Sequence, residues 1–317
     1  MKKLTSAFLA VFLIIIMCVP VSADSRLIPG GQVIGLALAD NTLTVLSIHE
    51  ELGKNAQAAG LQAGDKLTQI NGQPVQTIDQ VRAAMENCGD TVDIRILRSG
   101  KSKQLQLTPA DTSEGPRLGV YLKEGITGIG TVTYYDPQTG TYGALGHGVN
   151  DPEGDLVAMR SGVCYNAAIL SVHKGISGKP GQLVGTLDGN DPIGTVQKNT
   201  ARGIFGTIPM NQDAPMPTGS AKTGSATIRS TVDENGVQEY SVEILKIYPS
   251  SRQDGRNMLL KITDDRLLDS TGGIVQGMSG SPLVQDGKLI GAVTHVLVND
   301  PTMGYGIFIE NMLDAAG

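Results

Sequence analysis

The sequence predicts a chain built mainly of β strands and divided into two units. At 317 residues it suits two domains better than one. Forty-one glycines among many Val, Ile, Leu and Thr, with no tryptophan, describe short strands joined by tight turns. A polar stretch at residues 110–116 separates two sets of strand patterns.

The N-terminus comes first and stands apart. Lys2 and Lys3 precede an apolar run from Leu4 to about Val21, and Val21-Ser22-Ala23 offers the small residues that a signal peptidase reads. Residues 1–23 are therefore expected to be an export signal, with an uncleaved membrane anchor as the alternative because the run approaches bilayer-spanning length. On either reading the folded part works outside the cytoplasm.

Residues 26–109 read as one small module. Val33 to Ala39 and Leu43 to Ile48 alternate as strands around an Asp40-Asn41 turn. A short helix through Asn55 to Ala59 closes at Gly60, and Asn71-Gly72 marks a hairpin. Thr77 is a good N-cap for a helix carrying Ile78, Val81, Ala84 and Met85, and a last strand pair flanks Ser99-Gly100. With Gly60-Leu61-Gln62-Ala63-Gly64-Asp65 and Ile70-Asn71-Gly72, this set resembles a bacterial PDZ domain. The resemblance implies that Ile34, Gly35, Leu36 and Ala37 form the loop and edge strand that pair with a peptide, opposite the helix bearing Val81.

Residues 117–317 follow the linker. Gly119 to Leu122 opens a set of strands, Gly128 to Tyr135 continues it, and a turn at Asp136 to Gly140 returns the chain through Tyr142 to Leu145 into Gly146-His147-Gly148. His147 thus ends a strand between two glycines, which leaves its ring open to a partner and makes it the candidate base. His49 and His173 compete less well; His295, just past a later hairpin, is the second choice. Residues 211–225, broken by Pro215, Pro217, Gly219 and Gly224, read as an exposed loop, and Gln238 to Tyr248 and Asn257 to Ile262 read as strands.

Gly277-Met278-Ser279-Gly280-Ser281-Pro282 then leads into a hairpin turning at Asp286-Gly287. A serine set among glycines ahead of such a hairpin is how trypsin-like serine proteases present their nucleophile. Gly277 and Gly280 allow backbone geometry closed to residues with a Cβ, so the amides of Gly277 and Ser279 can form an oxyanion hole. A serine hydroxyl needs a base and an orienting carboxylate. Asp264 directly follows an apolar strand and is the preferred carboxylate; an N-cap role for it stays open, and Asp265 and Asp269 suit capping or solvation.

Composition excludes several classes. A formal charge of −6 and a pI near 5.2, with no Lys/Arg stripe, argue against a nucleic-acid partner. Cys18 lies in the export segment, so Cys88 and Cys164 are expected to be free thiols. Four histidines without zinc spacing suggest no metal, and no cofactor is expected.

The combination of an export signal, a PDZ-like module ahead of the second unit, Ala144-Leu145-Gly146-His147, Thr263-Asp264 and Gly272-Gly273-Ile274-Val275-Gln276-Gly277-Met278-Ser279-Gly280-Ser281-Pro282 is similar to the SpoIVB peptidase family of endospore formers. The resemblance implies a mainly β chain, a PDZ module followed by a trypsin-like β-barrel peptidase over 117–317. It implies a serine endopeptidase with catalytic His147, Asp264 and Ser279. By the same resemblance the protein is secreted into the forespore intermembrane space and cleaves itself. It then cuts a membrane-bound regulator of an intramembrane metalloprotease, which leads to sigma-factor processing. The alternatives are a PDZ scaffold on a protease-like barrel without activity and a general envelope quality-control protease. Met278 stands where trypsin-like enzymes carry an aspartate, which removes activation by an N-terminal ammonium.

Overall fold

The computed structural model describes residues 26–317 except 87, 152–153, 188–190, 210–212 and 253; the expected export signal lies outside the described residues. In chain order, β1 (Arg26–Pro29) and β2 (Val33–Ile48) are followed by α1 (Lys54–Ala58), β3 (Lys66–Ile70), β4 (Gln73–Pro74), α2 (Ile78–Glu86), β5 (Val92–Arg98) and β6 (Lys101–Leu107). Next come β7 (Val120–Asp136), β8 (Thr141–Ala144), β9 (Ser161–His173), β10 (Gln182–Leu187), β11 (Gly194–Thr200), β12 (Gly203–Thr207) and β13 (Met216–Pro217). The chain ends with β14 (Gly224–Thr231), β15 (Val237–Ile247), β16 (Met258–Ile262), α3 (Asp265–Thr271), β17 (Pro282–Gln285), β18 (Lys288–Leu297), β19 (Asp300–Phe308) and α4 (Ile309–Ala316).

Two long strands organise the first part. β2 has 16 residues and β7 has 17, and they run antiparallel from Val33 opposite Thr131 to Ile48 opposite Val120. No turn interrupts β2 at Asp40. The Asp40 carboxylate instead accepts from the Thr42 amide and hydroxyl at 2.8 and 2.6 Å, satisfying the chain where the register with β7 shifts. Gly125 sits at this offset with φ 63°, and a Cβ there would lie 1.8 Å from the Leu38 carbonyl.

Below the offset, β2 and β7 belong to a barrel. Pairings β2–β7–β8–β12–β11–β9–β2 close on themselves and enclose Leu36, Leu38, Val132, Tyr142, Cys164 and Ile204. Above it, Leu43 to Ile48 and Val120 to Glu124 join β3, β5 and β6 over a separate core of Leu67, Ile70, Val81, Met85, Ile94 and Ile96. The second closed barrel has the order β14-β15-β16-β19-β18-β17, with Ile228, Leu260, Leu283 and Val293 fully buried inside.

The expected module boundaries at 26–109 are therefore corrected. Residues 26–39 are strands of the first barrel, and the PDZ module is inserted between two strands of that barrel. Alternation of apolar residues predicts a strand and is silent about which sheet takes it. The expected peptide-binding strand is corrected for the same reason. Ile34, Gly35, Leu36 and Ala37 pair with Gly130 to Thr127 on one edge and with Asn166 to Val163 on the other. A strand with both edges filled has no hydrogen bonds to offer a peptide.

Candidate active site

The barrels face each other across a cleft of about 680 Å³. His147 and Gly148 line it from the first barrel, and Gly277, Ser279, Thr294 and His295 from the second. His147 follows β8 through Leu145 and Gly146, which take φ values of 68° and 69° and turn the chain sharply into the cleft.

The serine loop is held from three sides. Gly277 and Gly280 adopt φ values of 100° and 97°, and between them the side chain of Met278 is fully buried. The Met278 amide donates to Val275 at 3.1 Å, Gly280 to Val293 at 2.8 Å and Ser281 to Met278 at 3.0 Å. β7 reaches across from the first barrel: Thr131 Oγ1 donates to the Gly277 carbonyl and Thr133 Oγ1 to the Gly280 carbonyl, both at 2.8 Å, and the Thr131 amide donates to Ser279 O at 3.1 Å. Gly181 and Leu183 clamp Gln276, accepting its amide proton at 2.9 Å and donating to its carbonyl at 2.8 Å. The amides of Gly277 and Ser279 meet no acceptor among the described residues, so two N–H groups remain at the cleft for a ligand oxygen.

Ser279 Oγ donates to the Thr294 carbonyl at 2.8 Å. His147 Nδ1 lies 2.9 Å from the Gly148 carbonyl. A carbonyl only accepts, so Nδ1 carries the proton and Nε2 presents a bare lone pair. Burial holds the His147 pKa below the ordinary imidazole value, partly offset by that hydrogen bond. The ring of His295 lies 5.3 Å from that of His147, tilted by 40°. Burial first, then His147 and Arg256, push His295 down to about 4, with Asp254 acting the other way.

Asp264 is not brought to this cluster. It is the N-cap of α3, accepting from the Arg266 amide at 3.0 Å and the Ser241 amide at 3.2 Å, and it pairs with the Arg266 guanidinium at 2.9 Å. The Arg266 hydrogen bond holds its carboxyl at about 2. The reason is the direction of β16. That strand starts beside the histidines, where Gly255 O accepts from Thr294 Oγ1 at 2.9 Å, and at about 3.3 Å per residue it carries Asp264 roughly 20 Å from Met258. Among the described residues, no Asp or Glu lines the cleft.

The inserted module has its own groove, about 410 Å³, between α2 and the chain from Leu118 to Leu122. Val81 lines it as expected of that helix, together with Ile78, Arg82 and Met85. Val120 to Leu122 pair with β2 on one edge only, leaving the edge toward α2 open. Sequence reasoning assigned these residues to the peptidase. The signal that identifies them is Leu118-Gly119-Val120, where Gly119 has φ 73° and a Cβ would lie 2.2 Å from the Leu52 carbonyl.

Residues 114–313 match the SpoIVB peptidase S55 family, and residues 53–98 match the PDZ domain. The chain belongs to the SpoIVB peptidase family. That family is one of serine endopeptidases, and in this member the PDZ module interrupts the first barrel. Among curated proteins, R01501 of Rhizobium meliloti, named as a zinc metalloprotease, is 36% identical over 77 residues, 24% of this chain and 21% of that protein. LL2128 of Lactococcus lactis, similarly named, is 31% identical over 148 residues, 40% of this chain and 34% of that protein. The chain thus spans between a fifth and about a third of the length of these relatives. Among solved structures, the PDZ domain of an SdrC-like protein from Listeria monocytogenes is 24% identical, with 26% of this chain and 87% of that chain covered at a TM-score of 0.23. The active form of the M. tuberculosis Rv3671c protease is 17% identical, with 75% of this chain and 84% of that one covered at a TM-score of 0.36.

Proposed function

We propose that this SpoIVB-family chain hydrolyses peptide bonds with Ser279 as nucleophile and His147 as general base. The observation that carries the reading is the meeting, in one cleft, of Ser279, the bare Nε2 of His147 and the two unengaged amides of Gly277 and Ser279. Rotation about χ1 turns the Ser279 hydroxyl from the Thr294 carbonyl toward Nε2. Oγ then bonds to the substrate carbonyl carbon as its proton passes to Nε2, and the carbonyl oxygen becomes an oxyanion held by the two amides. Each such donor contributes roughly 3 kcal/mol in comparable enzymes. Collapse expels the amine, which takes the proton from His147, and water releases the acyl group by the same route. The Gly148 carbonyl orients the imidazole, a task usually given to a carboxylate.

The same proposal extends to substrates and place. An exported member of this family with a PDZ module fits self-cleavage followed by cutting of a membrane-bound regulator of an intramembrane metalloprotease, in the forespore intermembrane space. The N-terminal segment holds the chain at the membrane until release, and the groove beside Val81 takes a peptide as an added strand along Val120 to Leu122.

Labelling of the full chain with a fluorophosphonate, mapped by mass spectrometry, tests the chemistry. Modification is expected at Ser279, absent in Ser279→Ala and abolished or strongly slowed in His147→Ala. A folded protein that takes no label refutes the nucleophile.

A further inference from the structure

Proton transfer from Ser279 makes a cation of a buried ring, and a buried charge without compensating dipoles or lone pairs is costly. Among the described residues no carboxylate lines the cleft to meet it, and Asp264 is committed to Arg266 at the far end of β16. The imidazole of His295 stands 5.3 Å from that of His147, and its Nδ1 is buried with no hydrogen-bond partner. The preceding residue, Thr294, holds the Ser279 hydroxyl on its carbonyl, so the hydroxyl and the His295 ring are placed by consecutive residues of β18.

We infer that His295 is a positioning residue for His147: a neutral imidazole packed against the base, which together with the Gly148 carbonyl holds the ring in place and sets a polar, uncharged ring beside the developing imidazolium. The inference rests on Ser279 and His147 being nucleophile and base. His295 neither gives nor takes a proton; the proton travels from Ser279 Oγ to His147 Nε2 and on to the leaving amine.

The role requires His295 to stay neutral while its neighbour is charged, because two cations at this separation repel. The charged and titratable groups around it are His147 at the end of β8 and Arg256 and Asp254 on the segment before β16. His147 and Arg256 oppose its protonation, Asp254 favours it, and burial is the largest influence against it. His295 therefore stays neutral until the pH nears 4.

The test uses the rate of Ser279 labelling by a fluorophosphonate, resolved into its maximal rate and its half-saturating concentration, across pH. His295→Phe keeps a ring and removes both nitrogens. It is expected to slow the maximal rate about tenfold or more, with half-saturation unchanged within about twofold and the acid limb moved to lower pH, since His147 loses support for its charged form. His295→Gln, which restores a lone pair, is expected to recover part of the rate. A Phe variant that labels at the wild-type maximal rate, or that changes half-saturation alone, makes His295 a cleft wall and overturns the inference. An acid limb that instead rises toward the ordinary imidazole value also overturns it, because water entering a loosened site would do that. Loss of labelling in a folded Asp264→Asn would return the role to that carboxylate. Wild-type protein that takes no label sinks the nucleophile reading itself, and this inference with it.

Discussion

At the scale of single residues, the local chemistry of glycine made the serine loop legible. Gly277 and Gly280 declare positive φ on either side of Ser279, a statement that needs no distant partner, whereas the ring expected to stand open at His147 is largely buried against the second barrel. Gly280→Ala puts a Cβ within 2.0 Å of the Thr131 carbonyl, in a backbone region closed to alanine. Thermal unfolding should show a drop of several degrees, and Ser279 labelling should be lost with it. Asp264 was illegible because its partner is Arg266, two residues away, while its supposed partner lies at the other end of a strand. Asp264→Asn keeps a capping oxygen but loses the ion pair with Arg266, which should cost up to about 1 kcal/mol and leave labelling intact. The sign with pH is definite. A carboxylate depressed from 3.8 to about 2 stabilises the fold above 3.8, and acid titration should erase the difference between wild type and variant as pH falls toward 2. For His147, whose pKa is lowered by burial, the acid limb of labelling should lie below 6.5, and stability should decline below 6.5 as the unfolded chain takes up protons.

At the scale of elements, periodicity announced most strands and named few of their neighbours. Ile34 to Ala37 carry the alternation of an edge strand, yet β9 occupies the edge that a peptide would need. Val120 to Leu122 read as the opening of the peptidase and instead keep an edge open toward α2. The two assignments separate cleanly by mutation. Ile78→Ser, at a partly buried position of the groove, should weaken enrichment of peptides from a displayed library without unfolding the protein. Ile34→Ala should leave enrichment unchanged in the protein that folds and cost about 2–5 kcal/mol of barrel stability, since Ile34 is buried in the first core. Thr131 and Thr133 carried no motif, because their importance lies in meeting Gly277 and Gly280 from another barrel. Thr133→Val should leave the buried Gly280 carbonyl unpaired, cost about 1–3 kcal/mol in denaturant unfolding and slow labelling of Ser279.

At the scale of the whole molecule, the two units expected from length and composition are present, but their order along the chain is nested. Insertion cannot be read from composition, since the segment before the module looks like part of it. Removing residues 26–116, harmless if the module simply preceded the peptidase, deletes β1 and β2 and should leave insoluble protein. Excising only residues 43–122 and closing β2 onto β7 with a short turn should give a soluble barrel pair with native-like circular dichroism. The Lys66–Asp151 ion pair at 3.6 Å, from β3 to the loop after His147, is a second tie between the module and the peptidase.

Nesting also bears on how the chain reaches this state. The pairing of Val33 with Thr131 closes a loop of about a hundred residues, which for a structureless chain is a slow, entropically costly search. A module that folds first on its own core brings the upper halves of β2 and β7 into register, and the lower halves then zip as a hairpin continues from its turn. The inserted domain thereby serves as a splint for the barrel, and its amides should gain protection from exchange before those of the strands that border the cleft between the barrels.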